Sequence, residues 1–145
     1  MHIRGECLLI RAEVIRKRLN KLDEYFNILK QMQHYSYDEF IENPERYGST
    51  ERFLQLLIET ITDIGNHIIA ELNLGVVNWY SDIPTLLFDS GYIDESIKES
   101  WIKMIGFRNV LIHDYLDIDH HIVYNMLTNR LEEFQNIKKV FTQFL

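Results

Sequence analysis

A single cysteine, Cys7, stands in the 145 residues, so no intrachain disulfide is possible and a reducing, cytoplasmic setting is the expectation. No apolar run approaches membrane-spanning length. The run "CLLI" near the start is too short for a secretory leader, and Arg11 ends it. Only two prolines and six glycines interrupt the chain. No strand-like alternation, internal repeat or low-complexity tract competes with long helical patterns. Positive charge is also scarce: 15 basic residues face 22 acidic ones, a net −7. That balance argues against non-specific nucleic-acid binding by the whole surface. Residues 1–21 are the exception, with six basic residues against Glu6 and Glu13, a net +4, while the rest carries nine basic and twenty acidic groups, a net −11. Those basic residues form either a local patch or a solvated helix face.

What is present is helical periodicity. Leu8, Ala12, Ile15, Leu19, Leu22, Phe26 and Leu29 recur at steps of three and four, one apolar stripe on a helix ending around Gln33. Ser36 and Glu39 fit a capping box, placing a short helix over Tyr37–Glu42. Pro44 and Gly48 then read as a loop. A second long helix starts near Thr50, carries Leu54, Leu57, Ile58, Ile61, Ile64, Ile68 and Leu72, and ends by Gly75. Pro84 suits the first turn of a short helix that Gly91 ends. Asp94 is an N-cap for a third long helix with the stripe Ile97, Trp101, Met104, Arg108, Leu111. "LDIDHH" breaks the pattern, and a last helix carries Val123, Leu127, Leu131, Phe134, Val140, Phe141 and Phe144. The expected fold is all-α, one domain over residues 1–145, with four long helices in an up-down bundle and short extra helices.

The chemistry concentrates in "GFRNVLIHDYLDID", residues 106–119. Arg108 holds a stripe position where an apolar residue belongs, and burying a guanidinium is costly unless it is paired. Asn109 and His113, four apart, share a helix face, and Arg108 lies one step round. Tyr115 returns toward Arg108 if the helix continues that far. Histidine moves protons near neutrality, arginine stabilises charge developing on a phosphate, tyrosine offers a stacking face and a hydroxyl, and asparagine orients or binds oxygen. The set suits cleavage of RNA by its own 2′-hydroxyl without a metal or cofactor. Spacing alone leaves a plainer alternative open, a helix-end histidine on the dipole and an arginine in a surface ion pair.

"RNVLIHDY" matches R-x4-H-x-Y and resembles the motif of the HEPN superfamily. With "LLIETITDIGNHIIAELNLGV" before it, residues 50–120 resemble the HepT toxins in particular. The resemblance implies a small all-helical protein that dimerises so that two motifs share one cleft. It implies a metal-independent toxin ribonuclease paired with a minimal nucleotidyltransferase antitoxin, which transfers AMP to the motif tyrosine. Carried over, Arg108 and His113 are the catalytic pair, Asn109 supports them, and Tyr115 accepts AMP. Asp114, beside the histidine, is expected to be solvated.

Other groups stay open. Glu59, Asp63, His67 and Glu71 recur every four residues on one helix face. They form a polar face with a hydrogen-bonded histidine, a support that orients Arg108 through Asp63 or Glu59, or a metal pair (Asp63 and His67) completed by His113, His120 or His121. His120 and His121 read as surface residues at a helix start. Tyr35, Tyr37 and Tyr47 are expected to pack on the bundle, Trp79 and Tyr80 to anchor a loop, and Met32, Met104 and Met126 to lie in the core. A binding module that presents nucleotide or substrate to a nucleotidyltransferase is the alternative function, and a metal-dependent hydrolase a third.

Overall fold

The computed structural model describes the backbone of residues 2–145 and the side chains from Ala12 onward, so the readings of Cys7 and Leu8 and the charges of Arg4, Glu6 and Arg11 lie outside the described side chains. The elements are α1 (His2–Met32), α2 (Tyr37–Glu42), α3 (Pro44–Leu72), α4 (Asp82–Asp89), α5 (Glu95–His113), α6 (His120–Asn129) and α7 (Glu132–Thr142). The described residues contain no strand. None of their helices is long and apolar enough to cross a membrane.

α3 is the axis of the bundle and packs against each of the other helices. Its apolar positions wrap through Leu54, Leu57, Ile58, Ile61, Ile64, Gly65, Ile68 and Ile69, wider than a single seam, so it can bury against neighbours on several sides. Ile15, Leu19, Leu22, Phe26 and Leu29 of α1 close one side, and Trp101, Met104, Ile105, Phe107 and Leu111 of α5 another. Each of the larger fully buried groups contributes roughly 1.5–3 kcal/mol of burial free energy. Met104 and Met126 are buried and Met32 packs at the edge of the core.

Helix ends follow local chemistry, and two differ from expectation. Ser36 and Glu39 exchange capping hydrogen bonds as the sequence suggests. Pro44 is not a loop residue: Asn43 Oδ1 accepts from the Glu45 N–H at 2.9 Å, and Pro44 occupies the first turn, so α3 begins six residues before Thr50 and runs through Gly48. A proline there loses no helical hydrogen bond and arrives with a helix-ready φ. At the far end Asn73, at φ 55°, takes the left-handed terminating role, two residues ahead of Gly75.

The last long helix is broken in two. α6 ends at Arg130, whose Nε and Nη2 donate to the Glu133 carboxylate at 2.7 and 3.2 Å, and α7 resumes after Leu131. Leu127, Leu131, Phe134, Ile137 and Phe141 are buried on both sides of the break. The apolar stripe therefore keeps its period across it, which hides the interruption.

The tyrosines before α3 do pack on the bundle. The Tyr124 hydroxyl donates to the Tyr35 carbonyl at 2.6 Å, and Tyr37 stacks on His121 with ring centroids 4.0 Å apart. His121 is an exposed residue at the helix start, as expected, whereas His120 is half-buried: it tilts against Tyr47 at 4.3 Å, with its Nδ1 4.0 Å from Glu51 Oε1.

Candidate active site

The approach of α5 to α3 sets the site. Asp94 Oδ1 caps α5, accepting from the Ile97 N–H at 2.8 Å. Trp101 then packs against α3, its Nε1 donating to Thr62 Oγ1 at 3.3 Å. Gly65 makes this possible, because a Cβ there would stand 2.7 Å from Ile83 Cγ2 and 2.9 Å from Trp101 Cη2. The "DIGNH" stretch thus owes its glycine to a close helix crossing.

That crossing carries Arg108 to Glu59. Arg108 is 18% exposed and Glu59 30%. The arginine's Nε and Nη2 donate to Glu59 Oε1 at 3.2 and 3.0 Å, and its Nη1 donates to Asn109 Oδ1 at 3.2 Å. The Gln55 amide donates to the same Glu59 oxygen at 3.1 Å and helps hold it. The guanidinium carbon also lies 5.0 Å from the centre of the Tyr80 ring, a cation–π contact. The plane of the guanidinium is therefore fixed from several sides, with the outer hydrogens of its two Nη atoms still available to an anion.

Asp63 lines the same hollow as Glu59, Tyr80 and Arg108. Partial burial pushes its carboxyl above the usual range; Arg18 and Arg108 pull it back, and Glu59 adds to the rise. His113 lines a neighbouring open groove with Asn109, Gly106, Trp79, Tyr80 and Ser81. Tyr80 and Ile105 border both hollows. Arg108 and His113, five residues apart, point about 140° away from one another around the helix. One chain thus offers them on adjacent surfaces, bridged by Asn109, rather than in one closed pocket.

Tyr115 lies past the helix end. Asp114, exposed, terminates α5 with its N–H on the Val110 carbonyl at 2.9 Å, and a turn closes where the Asp117 N–H reaches the Asp114 carbonyl at 3.0 Å. Tyr115 rides on that turn, 67% exposed. His67 lines neither hollow, and its Nε2 is buried without a hydrogen-bond partner, so the hydrogen-bonded histidine expected from the sequence is not what forms. Among the described residues no group of three or more His, Cys, Asp and Glu is placed to hold a metal.

Sequence reasoning read Trp79 and Tyr80 as loop anchors and did not place them, or Gly106, in the hollows beside the motif. Trp79 is 75% exposed and Tyr80 47%, so neither anchors the loop by burial. The available signal was "NWYSD": an aromatic pair between polar residues, with Asp82 three positions after Trp79, where a carboxylate can take the loop's N–H groups.

Comparison with known proteins places the chain in a family. A family model described as ribonuclease HepT-like matches residues 15–141. The chain is 28% identical over 127 residues to a protein of Aphanizomenon flos-aquae named tRNA nuclease HepT, covering 86% of this chain and 85% of that one. It is 34% identical over 82 residues to one of Shewanella oneidensis named mRNA nuclease HepT, covering 57% of this chain and 62% of the relative. Its fold superimposes with a TM-score of 0.83 and 25% identity on a tri-AMPylated Shewanella oneidensis HEPN toxin in complex with MNT antitoxin, over 90% of this chain and 97% of that one. The chain belongs to the ribonuclease HepT-like family.

Proposed function

We propose that this ribonuclease is the toxin of a toxin–antitoxin pair, cutting RNA at a composite site between two copies of the chain and silenced by AMP transfer to Tyr115. The observation that carries the reading is the guanidinium of Arg108, fixed by Glu59, Asn109 and Tyr80 beside the groove that His113 lines. Attack of a 2′-hydroxyl on the adjacent phosphorus needs a base for the hydroxyl proton and an acid for the departing 5′-oxygen, on opposite sides of the phosphate. One chain supplies one motif imidazole, so a second copy facing it supplies the other. His113 of one copy takes the 2′-proton. The partner's His113, protonated, gives its proton to the 5′-oxygen. Arg108 neutralises charge on the phosphoryl oxygens as phosphorus becomes five-coordinate. The products are a 2′,3′-cyclic phosphate and a 5′-hydroxyl.

The exposed apolar groups Val110, Tyr115 and Leu116 at the same end of α5 suit contact with a second copy. The exposure of Tyr115 suits an acceptor that a nucleotidyltransferase antitoxin, like the partner in the Shewanella complex, must reach. An AMP group there would put a phosphate within reach of the arginine and a base across the substrate path.

Cleavage of bulk RNA by the purified protein in the presence of chelator, with end-group analysis, tests the reading. Cyclic phosphate ends are expected, and His113→Ala or Arg108→Ala is expected to lower the rate by about a hundredfold or more. Activity that vanishes with chelator and returns with zinc or manganese would contradict it and direct attention to Asp63 and His67.

A further inference from the structure

We propose that the groove between the Trp79 indole and the Gly106–Asn109 face of α5 is a nucleobase subsite, in which Trp79 stacks on a base next to the scissile phosphate. The inference rests on the ribonuclease reading and adds a residue and a role to it.

Four observations meet in this groove. The first is the indole itself. It is 75% exposed, and among the described residues it makes no ring contact and no side-chain hydrogen bond, whereas Tyr80 beside it is committed to Arg108. The second is the loop that presents it. Asp82 Oδ2 accepts from the Asn78 and Trp79 N–H groups at 3.0 and 2.9 Å, and the Asp82 and Ile83 N–H groups return to the Trp79 and Tyr80 carbonyls at 2.9 and 3.1 Å. The backbone is tied down while the side chain it carries is left in solvent. Folding gains little from a large apolar group held in that way.

The third is Gly106. Glycine in a helix interior is less favourable than alanine. Gly65 repays this by close packing, but a Cβ on Gly106 would meet nothing within 4 Å. The fold gives no steric reason for glycine there; a ligand lying flat on the helix would. The fourth is the chemistry of the walls. Asn109, Ser81 and His113 place amide, hydroxyl and imidazole groups at the rim of an open groove of about 530 Å³. That size suits a nucleotide rather than a bare ion. A planar base needs an aromatic face on one side, a flat floor on the other and polar groups at its edge, and stacking of this kind serves any base. Because His113 shares the groove, a base lying here belongs to a nucleotide flanking the scissile phosphate.

The protein carries its own reporter. Trp101 is 0% exposed and sealed in the core, so Trp79 is the tryptophan that bound RNA can reach. Mixed-sequence single-stranded RNA titrated into the His113→Ala protein is expected to quench emission, and the quench is expected to disappear in Trp79→Phe/His113→Ala. In the active protein, Trp79→Ala is expected to raise KM about tenfold or more with a smaller change in kcat. Trp79→Phe, which keeps a stacking ring, should recover most of the loss. Gly106→Ala should raise KM while leaving the melting temperature unchanged or higher. An unquenched Trp79 together with unaltered KM in Trp79→Ala overturns the subsite while leaving the ribonuclease reading intact. A Trp79→Ala protein that light scattering finds dissociated, when wild type is not, overturns it in favour of a contact between copies. A wild-type protein that cleaves no RNA overturns both readings together.

Discussion

Arg108 shows how one side chain can look misplaced in a pattern and be correctly placed in a structure. On α5 it interrupts an apolar stripe, and Glu59 across the helix crossing removes the cost. Glu59→Gln keeps the shape and the reach to Gln55 but takes away the charge that pins the guanidinium. RNA cleavage by that variant should fall about tenfold, mainly in kcat, with Arg108 still present and the thermal midpoint moved by only a few degrees. Single-turnover rates beside a melting curve check this. Asp63 sets a different test. Its carboxyl is raised above the ordinary 3.8 by burial, so the folded state disfavours its ionisation and stability declines as pH rises from the unfolded value through the raised one. Asp63→Asn should remove that part of the decline and flatten the acid limb of a denaturation series. Tyr115→Phe should abolish the added mass when toxin, antitoxin and ATP are incubated together, while keeping part of the cleavage activity. Mass persisting on the phenylalanine variant would move the acceptor to another residue, with Tyr80 and Tyr124 next. Arg108 stood out because a charge on a core stripe is improbable without a partner, whereas Asn109, His113 and Tyr115 are exposed and were singled out by residue type and by the resemblance of R-x4-H-x-Y to a family motif. Tyr80 and Trp79 were not, because an aromatic pair in a loop reads the same whether it is buried or displayed.

Among the elements, the sequence reported periods well and interruptions poorly. α1, α2, α4 and α5 lie where stripes and caps put them, since Ser36, Asp94 and Gly91 act through local hydrogen bonds or backbone freedom that a few residues encode. Pro44 misled because proline both breaks helices and begins them, and only the Asn43 cap distinguishes the two roles. The α6–α7 break was hidden by a stripe that stays in phase across it; its local trace is the pair Thr128 and Asn129, both weak helix formers. The two interior glycines separate packing from function. Gly65→Ala must displace Ile83 and Trp101 and should cost about 1–3 kcal/mol in denaturant unfolding. Gly106→Ala meets open space and should cost nothing in stability.

For the whole molecule, an acidic surface that must hold an acidic polymer makes the placement of its few cations decisive. Arg108 is fixed at one end of α5, and Arg18 of α1 lies near enough to Asp63 to oppose the rise that burial gives its carboxyl. Positive charge therefore borders the motif even though the net charge is −7. What one chain lacks is enclosure, because Arg108 and His113 face different hollows and only one motif imidazole is present. In the proposed composite site a second copy supplies both. The sharpest test mixes wild-type and His113→Ala chains in equal amounts, refolds them together so that subunits exchange, and measures RNA cleavage at fixed total protein. A site that needs the imidazole of both copies leaves only wild-type pairs active, so the rate should fall to roughly a quarter of that of wild type alone. A rate of roughly half would mean that each chain cuts RNA independently, and the composite site would be wrong.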